Sequence, residues 1–263
     1  MNKWDLIIDK TPLDGSWNMA VDEFLFLSLT EEPHTVLRFY SWKNPTVSLG
    51  YSQKVLEVAD VEFCRTNGID IVRRMTGGKL VLHHKEVTYS LTSSDSEVFT
   101  STLNDSYRLV SEALMEGLKK MGLAPALSSP APQKYTRGNL PCFSYPSRNE
   151  VEVAGKKIIG SAQKRVGKKF IQHGSIPLEK DDDWLTSISF LEGAGEKVRM
   201  ISLAEALGHS IDFDRTVAVC TSGVEAYFGV QLKRRALGKI EKESVFKIQK
   251  EKYGNPAWTY QTP

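Results

Sequence analysis

The chain has 263 residues, with 34 basic and 32 acidic side chains and a formal charge of +2, too small an excess to make nucleic acid the main partner. Its composition, 41% hydrophobic and 25% charged, is that of a globular protein with a full core and not of a disordered one. No apolar run is long enough for a membrane span, the first residues lack the apolar stretch of a signal peptide, and three cysteines (Cys64, Cys142, Cys220) argue for a reducing cytosol over a disulfide framework.

Along the chain, residues 16–29 are expected to form an amphipathic helix, with Ser16 as its cap and Met19, Phe24, Leu25 and Leu27 on its apolar side. Strands are expected over 35–40 and 46–50, with Pro45 between them. Residues 70–74 should run into a tight turn at Gly77-Gly78, and 79–83 should lead out of it. Residues 87–92 alternate in strand fashion. A helix is expected over 104–121, stopped by Gly122. The stretch 128–146 holds four prolines and Gly138, so it reads as an irregular surface loop. A hairpin follows, with strands 150–153 and 157–159 about a turn at Ala154-Gly155, and then a strand over 170–176. From about residue 181 the pattern turns helical and increasingly charged. The fold class is α+β: a mostly antiparallel sheet with a helical C-terminal part.

Three patches could carry chemistry. Gly77 and Gly78, beside Arg73, Arg74, Thr76 and Lys79, would let backbone N–H groups approach an oxygen-rich or anionic ligand, although glycine pairs flanked by charge are commonly plain hairpin turns. Cys142 sits in the proline-rich loop, where a thiol would be accessible, whereas Cys64 and Cys220 lie in helix-like segments and read as packing. Lys157, starting the return strand of the hairpin, would be solvated if it pointed outward. Pointing inward, its ammonium could lower a thiol pKa and make Cys142 a nucleophile without a histidine base. His83 and His84 are adjacent and would face opposite sides of a strand, which disfavours a shared metal site. No metal-ligand or phosphate-loop motif is present. The basic run 233–252 is interleaved with acids and reads as a solvated face.

Taken together, the patches resemble the lipoate–biotin protein ligase superfamily, and within it the cysteine-dependent octanoyltransferases. The segments that carry the likeness are GSWNMAVDE at 15–23, LRFYSW at 37–42, PTVSLGY at 45–51, RRMTGG at 73–78, Cys142-Phe143 with Pro146-Ser147, GKKIIGSAQ at 155–163 and KYGNPAW at 252–258. Lys79-Leu80 depart from the family's loop. His83-His84-Lys85-Glu86 replace the histidine–aspartate pattern of the ligases, while Thr88-Tyr89-Ser90 is similar to the transferases and Arg148-Asn149-Glu150 to the ligases.

The resemblance implies a mixed, mostly antiparallel sheet flanked by helices, in one catalytic domain over 1–263. It implies Cys142 as thioester nucleophile and Lys157 as the lysine that activates it. Arg74, Thr76, Gly77, Gly78, Lys79, Val81, His83, Gly160 and Ser161 would contact the substrate, with no metal and no cofactor. The implied donor is an acyl carrier protein. The implied acceptor is a lipoyl-domain protein such as glycine cleavage H protein or a 2-oxoacid dehydrogenase E2 subunit, with no nucleic acid and no membrane partner. An ATP-dependent ligase holding an acyl-adenylate on Lys157, an amidotransferase between lipoyl domains, and a non-catalytic carrier-binding relative remain open at this point.

Overall fold

The computed structural model describes residues 3–99, 102–128, 149–180, 182–189 and 200–261, so Cys142 lies outside the described residues. The strands are β1 (Lys3–Ile8), β2 (His34–Tyr40), β3 (Thr46–Leu49), β4 (Asp70–Arg73), β5 (Val81–His83), β6 (Glu86–Ser93), β7 (Pro125–Leu127), β8 (Val151–Val153), β9 (Lys156–Val166), β10 (Lys169–Pro177) and β11 (Lys233–Arg234). The helices are α1 (Gly15–Leu27), α2 (Val55–Val58), α3 (Val61–Thr66), α4 (Leu103–Lys120), α5 (Asp182–Ile188), α6 (Leu203–Leu207), α7 (Phe213–Phe228), α8 (Lys239–Ile248) and α9 (Pro256–Thr259), with a π-helical turn at Gln249–Tyr253.

Eight strands form a sheet in the order β11-β1-β2-β6-β10-β9-β8-β7, and a second sheet has the order β4-β3-β5. Strand β1 pairs in parallel with β2 and β11, and β3 with β4; the remaining pairs are antiparallel. The sheet is thus mixed and mostly antiparallel, with helices beside it, as expected. Helix α1 is the crossover that parallel β1 and β2 require.

One face of the large sheet carries the main core. Leu37, Phe39, Val87, Tyr89, Leu91, Ile159, Phe170 and Ile176 pack against Val110, Leu114 and Leu118 of α4 and Val217, Cys220 and Val224 of α7. Cys64 and Cys220 are free and buried, and burial pushes their thiols up to about 11 and about 12, so both are inert packing residues.

Three expectations need correcting. Leu27 does not join the buried side of α1 but is exposed at the helix end. Ser16 does not cap α1: the helix begins at Gly15 after Asp14, and the Ser16 hydroxyl instead accepts from Gln249 Nε2 at 2.9 Å, because the C-terminal turn covers this end. Gly77-Gly78 is not a hairpin turn. Strands β4 and β5 lie on opposite sides of β3, so the segment between them must cross over the end of β3. The hairpin at 151–166 forms as expected, with Ala154 (φ 52°) and Gly155 (φ 71°) in the left-handed conformation that a two-residue turn demands.

Candidate active site

The site begins with the alternation of β6. Val87, Tyr89 and Leu91 enter the main core, which leaves Glu86, Thr88, Ser90 and Thr92 on the opposite face. That face is buried too, because α1 and the small sheet cover it. Its polar groups therefore need partners inside the protein.

Asp22 of α1 is the first hub. Its carboxylate accepts from Arg38 Nη1 (2.9 Å) and Ser90 Oγ (2.8 Å) on one oxygen, and from Tyr40 Oη (2.9 Å) on the other, where His173 Nδ1 also lies at 3.0 Å. Burial pushes the Asp22 carboxyl up, but the His173 hydrogen bond and the Arg38 charge outweigh it and hold the group below its usual range. Burial pushes His173 down, against the pull of Asp22, which keeps the imidazole neutral. A neutral ring with Nδ1–H donated to Asp22 leaves Nε2 to accept from the Thr76 hydroxyl, 2.7 Å away.

Glu86 is the second hub. It accepts from Thr88 and Ser175 and lies 2.8 Å from His83 Nδ1, while His83 Nε2 is 2.7 Å from Ser48 Oγ. Trp42 stacks on the His83 ring at 4.1 Å and donates its indole N–H to Thr88. Two chains of carboxylate, imidazole and hydroxyl thus converge between the sheets.

Between them is a narrow slot, partly open to solvent. It is lined from α1 by Met19, from the small sheet and its loop by Ser48, Arg74, Val81 and His83, and from the large sheet by Gly160, Ser161, Ala162, His173, Gly174 and Ser175. Because the polar groups are turned to one another, the surface the slot presents is largely apolar.

The 73–80 segment is held over this slot by its arginines. Arg74 donates to the carbonyls of Ser48 (2.9 Å), Gly77 (2.9 Å) and Lys79 (2.8 Å). Arg73, fully buried, donates to carbonyls of Gly50, Tyr51, Gln53 and Thr259, tying the loop to the chain end. These guanidiniums fasten backbone.

At the hairpin, pairing slips by one residue between Val151 and Glu152, leaving Ile158 extra on β9. The alternation breaks there, and Lys157 is buried (4% exposed) beside Ile158 while Lys156 stays outside. Lys157 Nζ is 2.5 Å from Glu150 Oε1, itself 2% exposed. Three residues further along β9, Gly160 lines the cavity.

Of the residues singled out in the sequence, Arg74, Val81, His83, Gly160 and Ser161 line the cavity and Thr76 stands one hydrogen bond behind it, on His173. Gly77, Gly78 and Lys79 are not among the lining residues, and Leu80 packs into the core of the small sheet with Val47 and Leu49. His84 faces away from His83 and stacks on Trp184 at 5.1 Å. Sequence reading missed Asp22, Glu86, His173 and Ser48. Asn18 and Asp22, one turn apart inside an otherwise apolar helix stretch, were a usable signal, since polar groups at such positions mark a buried network. Among the described residues, no group of three or more His, Cys, Asp or Glu side chains could share a metal ion, and no helix is long and apolar enough to cross a membrane.

Comparison with known proteins agrees with this fold. Residues 14–225 match the lipoyl protein ligase A/B catalytic domain. The octanoyltransferase LipM of Carboxydothermus hydrogenoformans is 34% identical, with 99% of each chain covered, and that of Clostridioides difficile is 34% identical, with 97% of each covered. Among solved structures, a lipoate-protein ligase A bound with ATP superposes with a TM-score of 0.85 at 20% identity over 100% of both chains. The bi-partite lipoate protein ligase of Thermoplasma acidophilum, studied with its E2 lipoyl domain, gives 0.83 at 20% identity, covering 100% of this chain and 98% of that one. At such identities the structures speak to the fold alone. With the matched profile spanning most of the chain and curated relatives aligned from end to end, the chain belongs to the lipoyl protein ligase A/B family.

Proposed function

We propose that this chain is an octanoyltransferase of lipoate biosynthesis, which takes an octanoyl group from an acyl carrier protein onto Cys142 and passes it to a lysine of a lipoyl-domain protein. The observation that carries the reading is the buried Lys157, on the strand that lines the largely apolar slot three residues later. The end-to-end likeness to LipM octanoyltransferases supports it. Cys142 precedes Glu150 by eight residues, which span at most about 28 Å, so chain length permits the thiol to reach the Lys157 ammonium.

In the first half-reaction the Cys142 thiolate attacks the thioester carbonyl, the donor's thiolate leaves and takes up a proton, and one thioester replaces another at little cost. In the second, the neutral amine of the acceptor lysine attacks the acyl-enzyme, the Cys142 thiolate leaves, the nitrogen releases one proton to water, and amide formation drives the sequence forward. The Lys157 ammonium stabilises the thiolate and then the developing oxyanion. Residues 1–263 act as one catalytic domain, with no cofactor, and glycine cleavage H protein and 2-oxoacid dehydrogenase E2 subunits are the acceptor types.

The test is intact-mass spectrometry of the enzyme with octanoyl-acyl carrier protein and no ATP, beside Cys142→Ser. A hydroxylamine-labile octanoyl adduct on the wild type alone is the expected result. Acceptor modification that appears only with free octanoate or lipoate and ATP would overturn the reading in favour of a ligase.

A further inference from the structure

Glu150 belongs to a sequence motif that the transferase reading leaves unused. It follows Asn149, which sits in the left-handed region (φ 66°) and donates through its side chain to Asn104 Oδ1 at 3.0 Å. Its own backbone is clamped on both sides: the Ser128 N–H donates to the Glu150 carbonyl at 2.8 Å, and the Glu150 N–H donates to the Ser128 hydroxyl at 3.0 Å. Lys157 is fixed as firmly. Its residue pairs with Glu152 across the hairpin, and its carbonyl accepts from the Ile201 N–H at 2.9 Å on the other side. Two rigid backbones therefore bring the carboxylate to 2.5 Å from the ammonium, with both side chains buried.

Burial by itself disfavours the charged form of a lysine, since desolvation penalises the ammonium. A neutral amine could neither stabilise a thiolate nor meet an oxyanion as a cation. Packing by itself does not call for an ion pair here, because apolar residues of similar volume commonly fill such a site without loss of stability. The Glu150 carboxylate, 2.5 Å from Nζ, is a counter-charge that favours the protonated form.

We propose that Glu150 is the positioning residue that holds Lys157 as a fixed ammonium for acyl transfer. The proposal rests on the transferase reading for its consequence in catalysis, and on the described residues for its geometry. Glu150 acts through Lys157 and does not itself touch the acyl group.

The test measures the pH dependence of iodoacetamide alkylation at Cys142, read by peptide mass spectrometry, and the rate of acyl-enzyme formation from octanoyl-acyl carrier protein. Wild type, Glu150→Gln, Glu150→Asp, Lys157→Met and the double variant Glu150→Gln/Lys157→Met are compared. Glu150→Gln is expected to shift the alkylation profile alkaline by about one pH unit and to slow acylation near neutrality by about tenfold. Glu150→Asp, which keeps the charge on a shorter arm, should fall between Gln and the wild type. On the Lys157→Met background Glu150→Gln should cost nothing further, the mark of a residue that works through its partner.

An unshifted profile in Glu150→Gln, or an equal further loss on the Lys157→Met background, overturns the proposal. Should Glu150→Gln fail to fold, as judged by circular dichroism, Glu150→Asp carries the test, and an unshifted profile there overturns it equally. A wild type that takes no octanoyl at all sinks the transferase reading, while the alkylation profiles still decide the Glu150–Lys157 relation.

Discussion

The Gly78 carbonyl rests directly on the α-carbon of Gly50: a Cβ built at Gly50 would stand 2.0 Å from that oxygen. No real Cβ makes such an approach, so the segment crossing the end of β3 needs glycine there. Backbone bonds from Arg74 to Leu49 (3.0 Å) and from Tyr51 to Thr76 (2.8 Å) hold the crossing on either side. Gly50→Ala is expected to destabilise the fold by about 2–3 kcal/mol and to displace the roof of the cavity. Urea unfolding and the rate of acyl-enzyme formation check this; a variant with unchanged stability and rate contradicts the close packing.

Asp22→Asn tests the first hub. The substitution keeps the shape but removes the charge that Arg38, itself 0% exposed, meets at 2.9 Å. Asp9 remains on the other side of the guanidinium at 2.8 Å and softens the loss. A cost of about 3 kcal/mol is expected, at the lower end of what breaking a buried pair entails. A change below about 1 kcal/mol in denaturant unfolding would mean that the network is dispensable.

His173 predicts a pH dependence. Its folded pKa lies below the unfolded value of 6.5, with burial as the leading cause. Between the two values the unfolded chain binds more protons than the native one, so stability rises with pH there. The contribution is complete above 6.5 and is lost as pH falls from 6.5 through the folded pKa. Unfolding free energies measured from pH 7.5 to 5.5 should fall with acid in the wild type and fall less steeply in His173→Gln. Equal slopes would remove His173 as the source.

Ala162 faces the slot beside Gly160 and Ser161. Replacing it with leucine would fill the space that the proposed transfer gives to the acyl chain. Octanoyl transfer should drop relative to hexanoyl, by roughly 10–200-fold for each methylene that no longer fits. A competition between the two thioesters reads the ratio, and a ratio left at the wild-type value would place the chain elsewhere.

The sequence by itself determined most of the elements, because they depend on local patterns. The alternation of 87–92, the helix stopped at Gly122 and the two-residue turn at Ala154-Gly155 all appear close to where the residues put them. It also picked out Lys157, Arg74 and His83 as residue types worth following. Their uses were not legible. Nothing local in the sequence shows that Arg74 also clamps three carbonyls.

Tertiary structure decided which faces are covered. Glu86, Thr88 and Ser90 alternate with apolar neighbours as in a strand with one wet face, yet α1 and the small sheet close over them. Only that covering makes Asp22, His173 and Ser48 partners, across sequence separations that no local pattern spans. Lys157 likewise could have pointed outward, and the one-residue slip opposite Val151 and Glu152 goes with its inward position. The period of a strand fixes which residues share a face; what lies on that face is a property of the whole fold.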